Sequence, residues 1–137
     1  MDNIYTFKAS IVNCYTENDV VVIGVGDDPT SPQNNLILSR FDDGEVDDSI
    51  GIQTSLSERE YSNAIDKIIL RKYTLKIEIK TDKIKDVGFS NILVYLNAEH
   101  FNYRTLKEYI DTIFHGSSAK VIIESYWRNR TRGFTLW

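Results

Sequence analysis

Residues 42–48, with the sequence DDGEVDD, concentrate carboxylates more densely than any other part of the chain. The acidic positions are Asp42, Asp43, Glu45, Asp47 and Asp48. Carboxylate oxygens are calcium ligands, but Gly44 is misplaced for an EF-hand, and the bidentate glutamate that closes such a loop is missing. The pattern therefore predicts a solvated acidic loop or, as a second interpretation, a patch that docks a basic partner. Further carboxylates could add to the same field, namely Glu17, Asp19, Asp27 and Asp28.

The other reactive side chains form no catalytic or metal-binding motif. His100 and His115 lack the spacing of a metal site, and His115 suits the last turn of a helix. Cys14 is the only cysteine, so neither an intramolecular disulfide nor a multi-cysteine zinc site can form. Gly24 and Gly26 lack the third glycine of a dinucleotide-binding loop. We predict no catalytic residue, no metal and no cofactor, while a small hydrolase with dispersed catalytic residues stays an alternative.

The C-terminal residues 117–137 differ in character from the rest. Lys120 and three arginines outweigh Glu124, which gives this segment a net charge of +3 and leaves −7 on residues 1–116. Its aromatic residues and arginines could bind single-stranded nucleic acid, fold back on the acidic body, or pair with another subunit through an edge strand. The remaining interpretation is that this segment packs against its own domain or is a frayed chain end. The residues concerned are Trp127, Arg128, Arg130, Arg132, Phe134 and Trp137.

Alternating apolar residues predict a series of strands that must position these groups. Residues 4–12 read as one half-buried strand, 15–19 as a turn, and 20–25 as a β-branched strand. Both prolines lie in the loop 27–35. Further strands are predicted from hydrophobic alternation, at residues 36–41, 50–52, 65–71, 74–80 and 92–96. We predict residues 65–71 and 74–80 to form a hairpin, residues 82–88 to be a linker, and residues 121–123 to add an edge strand.

One amphipathic helix is predicted near residues 103–116. Its apolar stripe consists of Leu106, Tyr109, Ile110, Ile113 and Phe114. Asn102 can cap its start and Gly116 can end it in a left-handed conformation. Because such a helix is marginal alone, we expect its stripe to pack on the strand of residues 75–79. The fold class is therefore α+β, a mainly antiparallel sheet with a C-terminal helix on one face, with residues 1–116 as one domain and 117–137 as its extension.

The composition and charge of the chain argue against some classes of function. The chain has 137 residues, a formal net charge of −4 and a pI of about 5.1, which argues against a general nucleic-acid binder. No apolar run approaches the ~18 residues of a membrane span, so we expect no membrane association. The first ten residues lack the basic and apolar regions of a secretory signal, so we expect a cytoplasmic protein.

A set of short segments, taken in order, carries a family resemblance. They are YTFKASIV (5–12), a valine-rich strand ending at 24–27, NLILSRF (35–41), REYSNAIDKIIL (59–70), TLKIEI (74–79), ILVYL (92–96) and LKEYIDTIF (106–114). In their order and spacing, residues 5–116 resemble immunity protein 10, a family of bacterial polymorphic-toxin immunity proteins. The chain departs from that pattern at Ser62-Asn63-Ala64, where the family commonly has glycines.

The resemblance implies a non-enzymatic cytoplasmic binder that neutralises a cognate toxin by occlusion. The implied partner is a basic toxin domain, such as a nuclease, that meets an acidic surface with a few aromatic anchors. The expected partner-binding residues are Asp42, Asp43, Glu45, Asp47 and Asp48, with Phe41 and Tyr61 as anchors. A homodimer is compatible with the sequence. The alternative function is a nucleic-acid accessory protein that uses the basic aromatic C-terminal segment.

Overall fold

A computed structural model describes residues 3–41, 44–97 and 101–124, and within them the fold is α+β and mainly β. The predicted fold class is thus confirmed. The described strands form two five-stranded sheets rather than the single sheet that the sequence suggested. Asp42, Asp43, His100 and residues 125–137 lie outside the described residues, so the predictions made for them stay predictions.

The first sheet is an antiparallel meander in which each strand pairs with the next one in sequence. Its strands are β2 (Ile11–Glu17), β3 (Val20–Gly26), β4 (Asn35–Arg40), β5 (Ile50–Thr54) and β6 (Tyr61–Ser62). Alternate side chains of β3 and β4, including Ile23 and Leu38, are completely buried on the inner face. We call this the meander sheet.

The second sheet mixes antiparallel and parallel pairs. Its strands are β1 (Ile4–Lys8), β7 (Ile65–Leu70), β8 (Thr74–Ile79), β9 (Asn91–Tyr95) and β10 (Lys120–Ile123). The spatial order is β1-β9-β8-β7-β10, and the two outer pairs, β1 with β9 and β10 with β7, are parallel. The predicted β7–β8 hairpin and the predicted C-terminal edge strand are both confirmed. We call this the mixed sheet.

The helix α2 (Tyr103–Ile113) has the predicted amphipathic character, whereas the short helix α1 (Ile84–Val87) lies where a linker was expected. The Asn102 side chain accepts a hydrogen bond from the Thr105 amide at 3.1 Å, as predicted. Gly116 has the expected left-handed φ, +81°, but the helix ends earlier, at Ile113. The stripe residues Leu106, Ile110 and Ile113 are fully buried in a core that both sheets share. Packing of this stripe stabilises a helix that would be marginal alone.

The core around α2 involves both sheets. The backbone of α2 lies near β3 and β2 of the meander sheet. Its buried stripe belongs to the same core as the inner residues of β8, including Leu75 and Ile77. The meander sheet therefore adds a neighbour of the helix that the sequence did not suggest.

Two local predictions near the N-terminus also need correction. Residues 4–12 form parts of two strands in different sheets, because the chain changes sheet at Ala9 and Ser10, whose amides bond to Tyr95 and Gly26. The predicted turn 15–19 is shorter, since β2 continues to Glu17 and only Asn18 and Asp19 form the turn. Both residues have positive φ, at 53° and 66°, as a type I′ hairpin turn requires.

Candidate partner-docking surface

The described part of the acidic loop is a folded segment that follows β4. Asp47–Ser49 forms a 3-10 turn. The Ser49 hydroxyl donates to the Glu45 carbonyl at 2.8 Å, and the Ser49 amide lies 3.1 Å from the same oxygen. The Phe41 amide donates to the Ser49 carbonyl at 2.9 Å, which closes the base of the loop. Residues 44–49 therefore have a defined conformation, with Gly44 and Glu45 exposed to solvent.

Asp47 fastens this loop to the segment that follows α2. Its carboxylate accepts a hydrogen bond from the Ser117 hydroxyl at 2.6 Å and from the Ser118 amide at 3.1 Å. The Ser118 hydroxyl also donates to it. The Lys80 ammonium lies 4.0 Å from the carboxylate. One predicted docking carboxylate thus has an internal structural role in the described residues.

The pKa of Asp47 reports these contacts. Partial burial acts to raise the pKa, but the hydrogen bonds from Ser117 and Ser118 and the charge of Lys80 act together to lower it. The net shift is below the ordinary value of 3.8. The folded state therefore favours the ionised carboxylate, because its donors bind the charged form more strongly.

Arg40, at the end of β4, makes a second connection between the loop region and α2. Its Nη1 donates to the carbonyls of Thr112, Ile113 and His115 at 3.3, 3.1 and 2.7 Å. These carbonyls lie at the helix C-terminus, where backbone acceptors lack helical partners and a cation is favourable. Arg40 therefore fixes the end of α2 beside the acidic loop.

Two open grooves flank the loop. The first, which we call the helix groove, has a volume of about 650 Å³ and is lined by Asp19, Val21, Arg40, Phe41, Gly44, Val46, Ser49, Asp111, Thr112 and His115. The second, the serine groove, has a volume of about 390 Å³ and is lined by Glu45, Val46, Asp47, Asp48, Asn63, Gly116, Ser117 and Ser118. Their walls carry Asp19 and Asp111 in one case and three loop carboxylates in the other. Together they form an acidic surface broken by a few apolar side chains.

The structure brings most of the predicted docking residues to these grooves. Phe41 is half-buried in the wall of the helix groove, and Glu45 is exposed at the serine groove. Asp48 is half-buried beside Asp47. Tyr61 lies in β6, which is adjacent to the 3-10 turn, but its side chain packs against the core and lines neither groove.

The other four carboxylates considered in the sequence do not act together. Glu17 is exposed at the end of β2 and lines neither groove. Asp19 lines the helix groove, in line with a contribution to the same field. Asp27 and Asp28 bind within their own proline loop instead, where Asp27 accepts from the Asn34 side chain at 3.0 Å and Asp28 from the Thr30 amide at 2.9 Å. Hydrogen bonds from these donors lower the pKa of both carboxyls.

Several residues of the surface escaped the sequence analysis. Arg40, Ser117 and Ser118 hold the loop in place, but none stands in a spacing that marks such a role. Pairs such as Asp47 and Ser117 are 70 positions apart, so local patterns carry no signal for them. Cys14 is half-buried on β2, and burial raises the pKa of its thiol to about 11.

Among the residues that the structure describes, no group of three or more His, Cys, Asp or Glu side chains is arranged to hold a metal ion. None of the helices in the described ranges has the length and apolar character to cross a membrane. No protein-family model matches the sequence, and no curated protein is similar enough to it to count as a relative. The resemblance to the immunity protein 10 family therefore rests on the segments quoted above.

Proposed function

We propose that this chain is an immunity protein that binds a cognate bacterial toxin and neutralises it by occlusion, without catalysis. The observation that carries the proposal is the described part of the acidic loop, residues 44–48, which hydrogen bonds hold in a defined conformation between two open grooves. A preformed loop loses little conformational entropy on binding. The family resemblance supplies the class of partner.

The mechanism assigns different tasks to different side chains. Glu45 and Asp48, with Asp42 and Asp43 from outside the described residues, would attract a basic toxin surface and accelerate the encounter. Phe41 would act as the apolar anchor in the helix groove. Tyr61 is not assigned this task, because its side chain packs against the core and lines neither groove. Asp47 and Arg40 would position the loop rather than contact the toxin, because both are already engaged by α2 and the residues after it.

If the carboxylates attract the toxin electrostatically, the rate at which the complex forms should depend on ionic strength. Rim charges mainly change the association rate, and salt screens them over about 10 Å at 0.1 M. Anchors buried at the centre of the interface mainly change the dissociation rate. Truncation of Phe41 should therefore weaken the complex at every salt concentration, whereas loss of the carboxylates should matter most at low salt.

The proposal is tested by measuring the binding of candidate basic toxin domains to the purified chain at low and high salt. The variant Asp42→Asn, Asp43→Asn, Glu45→Gln, Asp48→Asn removes four charges and keeps Asp47 for the fold. We expect association at least about tenfold slower at low salt and a loss of growth protection when toxin and variant are co-expressed.

A control with charges removed elsewhere distinguishes a local surface from net charge. The variant Glu58→Gln, Asp66→Asn, Asp82→Asn, Asp86→Asn also removes four charges, from exposed carboxylates that line neither groove. It should leave binding and protection nearly unchanged. Equal effects of the two variants would contradict a specific docking surface, and turnover of a substrate by the purified chain would contradict the non-enzymatic part of the proposal.

A further inference from the structure

Among the strands that the structure describes, β2 forms an edge of the meander sheet. It is seven residues long and, within the described residues, pairs only with β3. Asn13, Tyr15 and Thr16 are exposed, and Tyr15 keeps 40% of its surface accessible. An edge strand of this length presents a row of backbone donors and acceptors that can pair with another chain.

The other three sheet edges are better protected. β6 has only two residues, and β10 has four and begins with Lys120. β1 has five residues and ends with Lys8. β2, with the sequence IVNCYTE, has no lysine, arginine or proline. Edge strands are commonly protected from pairing by being short or by carrying lysines. β2 is long and has no lysine, so neither protection applies to it.

The turn after β2 fixes which backbone groups face the open side. Glu17 and Val20 flank the two-residue turn and form its closing pair, opposite each other in the register. Because hydrogen-bonded pairs alternate along an antiparallel ladder, Tyr15 and Asn13 also bond towards β3. The amide and carbonyl groups of Val12, Cys14 and Thr16 consequently point to the open edge.

We propose that β2 pairs antiparallel with β2 of a second copy of this chain, about a two-fold axis through Cys14. In this register Val12 lies opposite Thr16 of the second copy, and Cys14 lies opposite its own equivalent. The backbone amide and carbonyl groups of Val12, Cys14 and Thr16 in one copy then face the same groups of the second copy and can form hydrogen bonds with them. In this arrangement the cores of both copies lie on the same side of the joined sheet. A second copy is the partner that the side chains of β2 accommodate, because the strand is neutral apart from Glu17 and no like charges meet in this register.

The side chains of β2 are compatible with this pairing. Asn13 lies opposite Tyr15 of the second copy on the outer face, and the only charged residue, Glu17, lies opposite Ile11. The two Glu17 residues are at opposite ends of the new ladder, roughly 20 Å apart at ~3.3 Å per residue. No like charges therefore face each other, as an isologous interface requires.

The pairing strand and the docking surface use different side chains. No residue of β2 lines either groove, and Asp19, which lines the helix groove, lies in the turn that follows the strand. Self-association and the proposed toxin binding can therefore be tested separately, with variants at different positions.

Sedimentation velocity on the full chain measures the predicted dimer. The variant Asn13→Lys, Tyr15→Lys places lysines opposite each other twice across the axis. Its dimer dissociation constant should rise by about tenfold or more, because two like-charge pairs replace neutral contacts. The matched variant Asn13→Lys, Tyr15→Glu places opposite charges at the same positions and should remain dimeric.

Thermal unfolding of both variants provides a check on folding, since these side chains are exposed and point away from the core. A wild-type chain that stays monomeric at hundreds of micromolar overturns the proposal, as does a dimer unaffected by the double-lysine variant. A monomer whose toxin binding depends on the same two positions also overturns it, in favour of a foreign strand at this edge.

Discussion

Two loops of this chain are rich in carboxylates and use them in different ways. In the proline loop, Asp27 and Asp28 bind donors at most seven residues away. In the acidic loop, Asp47 binds Ser117 and Ser118, some 70 residues further along the chain. The first arrangement shapes one loop, whereas the second fastens two distant segments of the fold. The same residue type therefore has local or global consequences according to where its donors lie.

The largest effect is expected from Asp47→Ala. This change leaves the donors of Ser117 and Ser118 without their charged acceptor, so the free energy of unfolding should fall by ~2 kcal/mol. Urea denaturation measures it. The control Asp48→Ala alters the half-buried neighbour and should change stability by no more than ~0.5 kcal/mol. Equal losses for the two variants would show that Asp47 is not a special fastening point.

A double-mutant cycle separates the Asp47 contact from general loop effects. Asp47→Ala and Ser117→Ala, alone and combined, should give a coupling free energy of about 1 kcal/mol, because both side chains take part in one hydrogen bond. Measured unfolding free energies of the four proteins give this value directly. Additive effects would show that the loss of stability in each single variant does not come from the hydrogen bond between Asp47 and Ser117.

Asp47 should also make the stability of the fold depend on pH, because only its ionised carboxylate makes the full set of contacts. Its folded-state pKa lies below 3.8, so its contribution is fully present above that pH and is lost as the pH falls through the folded value. The stability difference between wild type and Asp47→Asn should be largest near neutral pH and should narrow in acid. A difference that widens below 3.8 would contradict the direction of the pKa shift.

The smallest effect is expected in the proline loop. Asp28→Ala removes acceptors for the Thr30 and Ser31 amides but no contact with distant residues. The midpoint of unfolding should stay close to that of wild type, while hydrogen exchange at these two amides should become faster. A clear fall in the unfolding midpoint would show that this loop also supports the fold globally.

Local patterns were sufficient to predict most elements. The alternation of Leu75, Ile77 and Ile79 and the stripe from Leu106 to Phe114 both reflect burial on one side, which repeats with the period of the element. The Asn102 cap and the left-handed conformation of Gly116 could also be predicted, because each depends on the chemistry of a single residue.

The arrangement of these elements was beyond local patterns. Nothing in residues 4–12 marks the change of sheet at Ala9 and Ser10, since the apolar alternation continues through it. The acidic loop could be predicted as a candidate surface from charge alone. Its fastening by Asp47 and Arg40 could not, because each contact joins residues about 70 positions apart.

The parallel edges of the mixed sheet imply an order of assembly. Neighbours in the meander sheet are also successive in sequence, but Ile4 pairs with Asn91 and Lys120 with Lys67. Closing such long segments costs chain entropy before any contact is gained, and non-local pairing slows folding. In pulse-labelling hydrogen exchange we expect amides of β3 and β4 to gain protection before those of β1 and β10. Simultaneous protection of all four strands would instead indicate that both sheets form in a single concerted step.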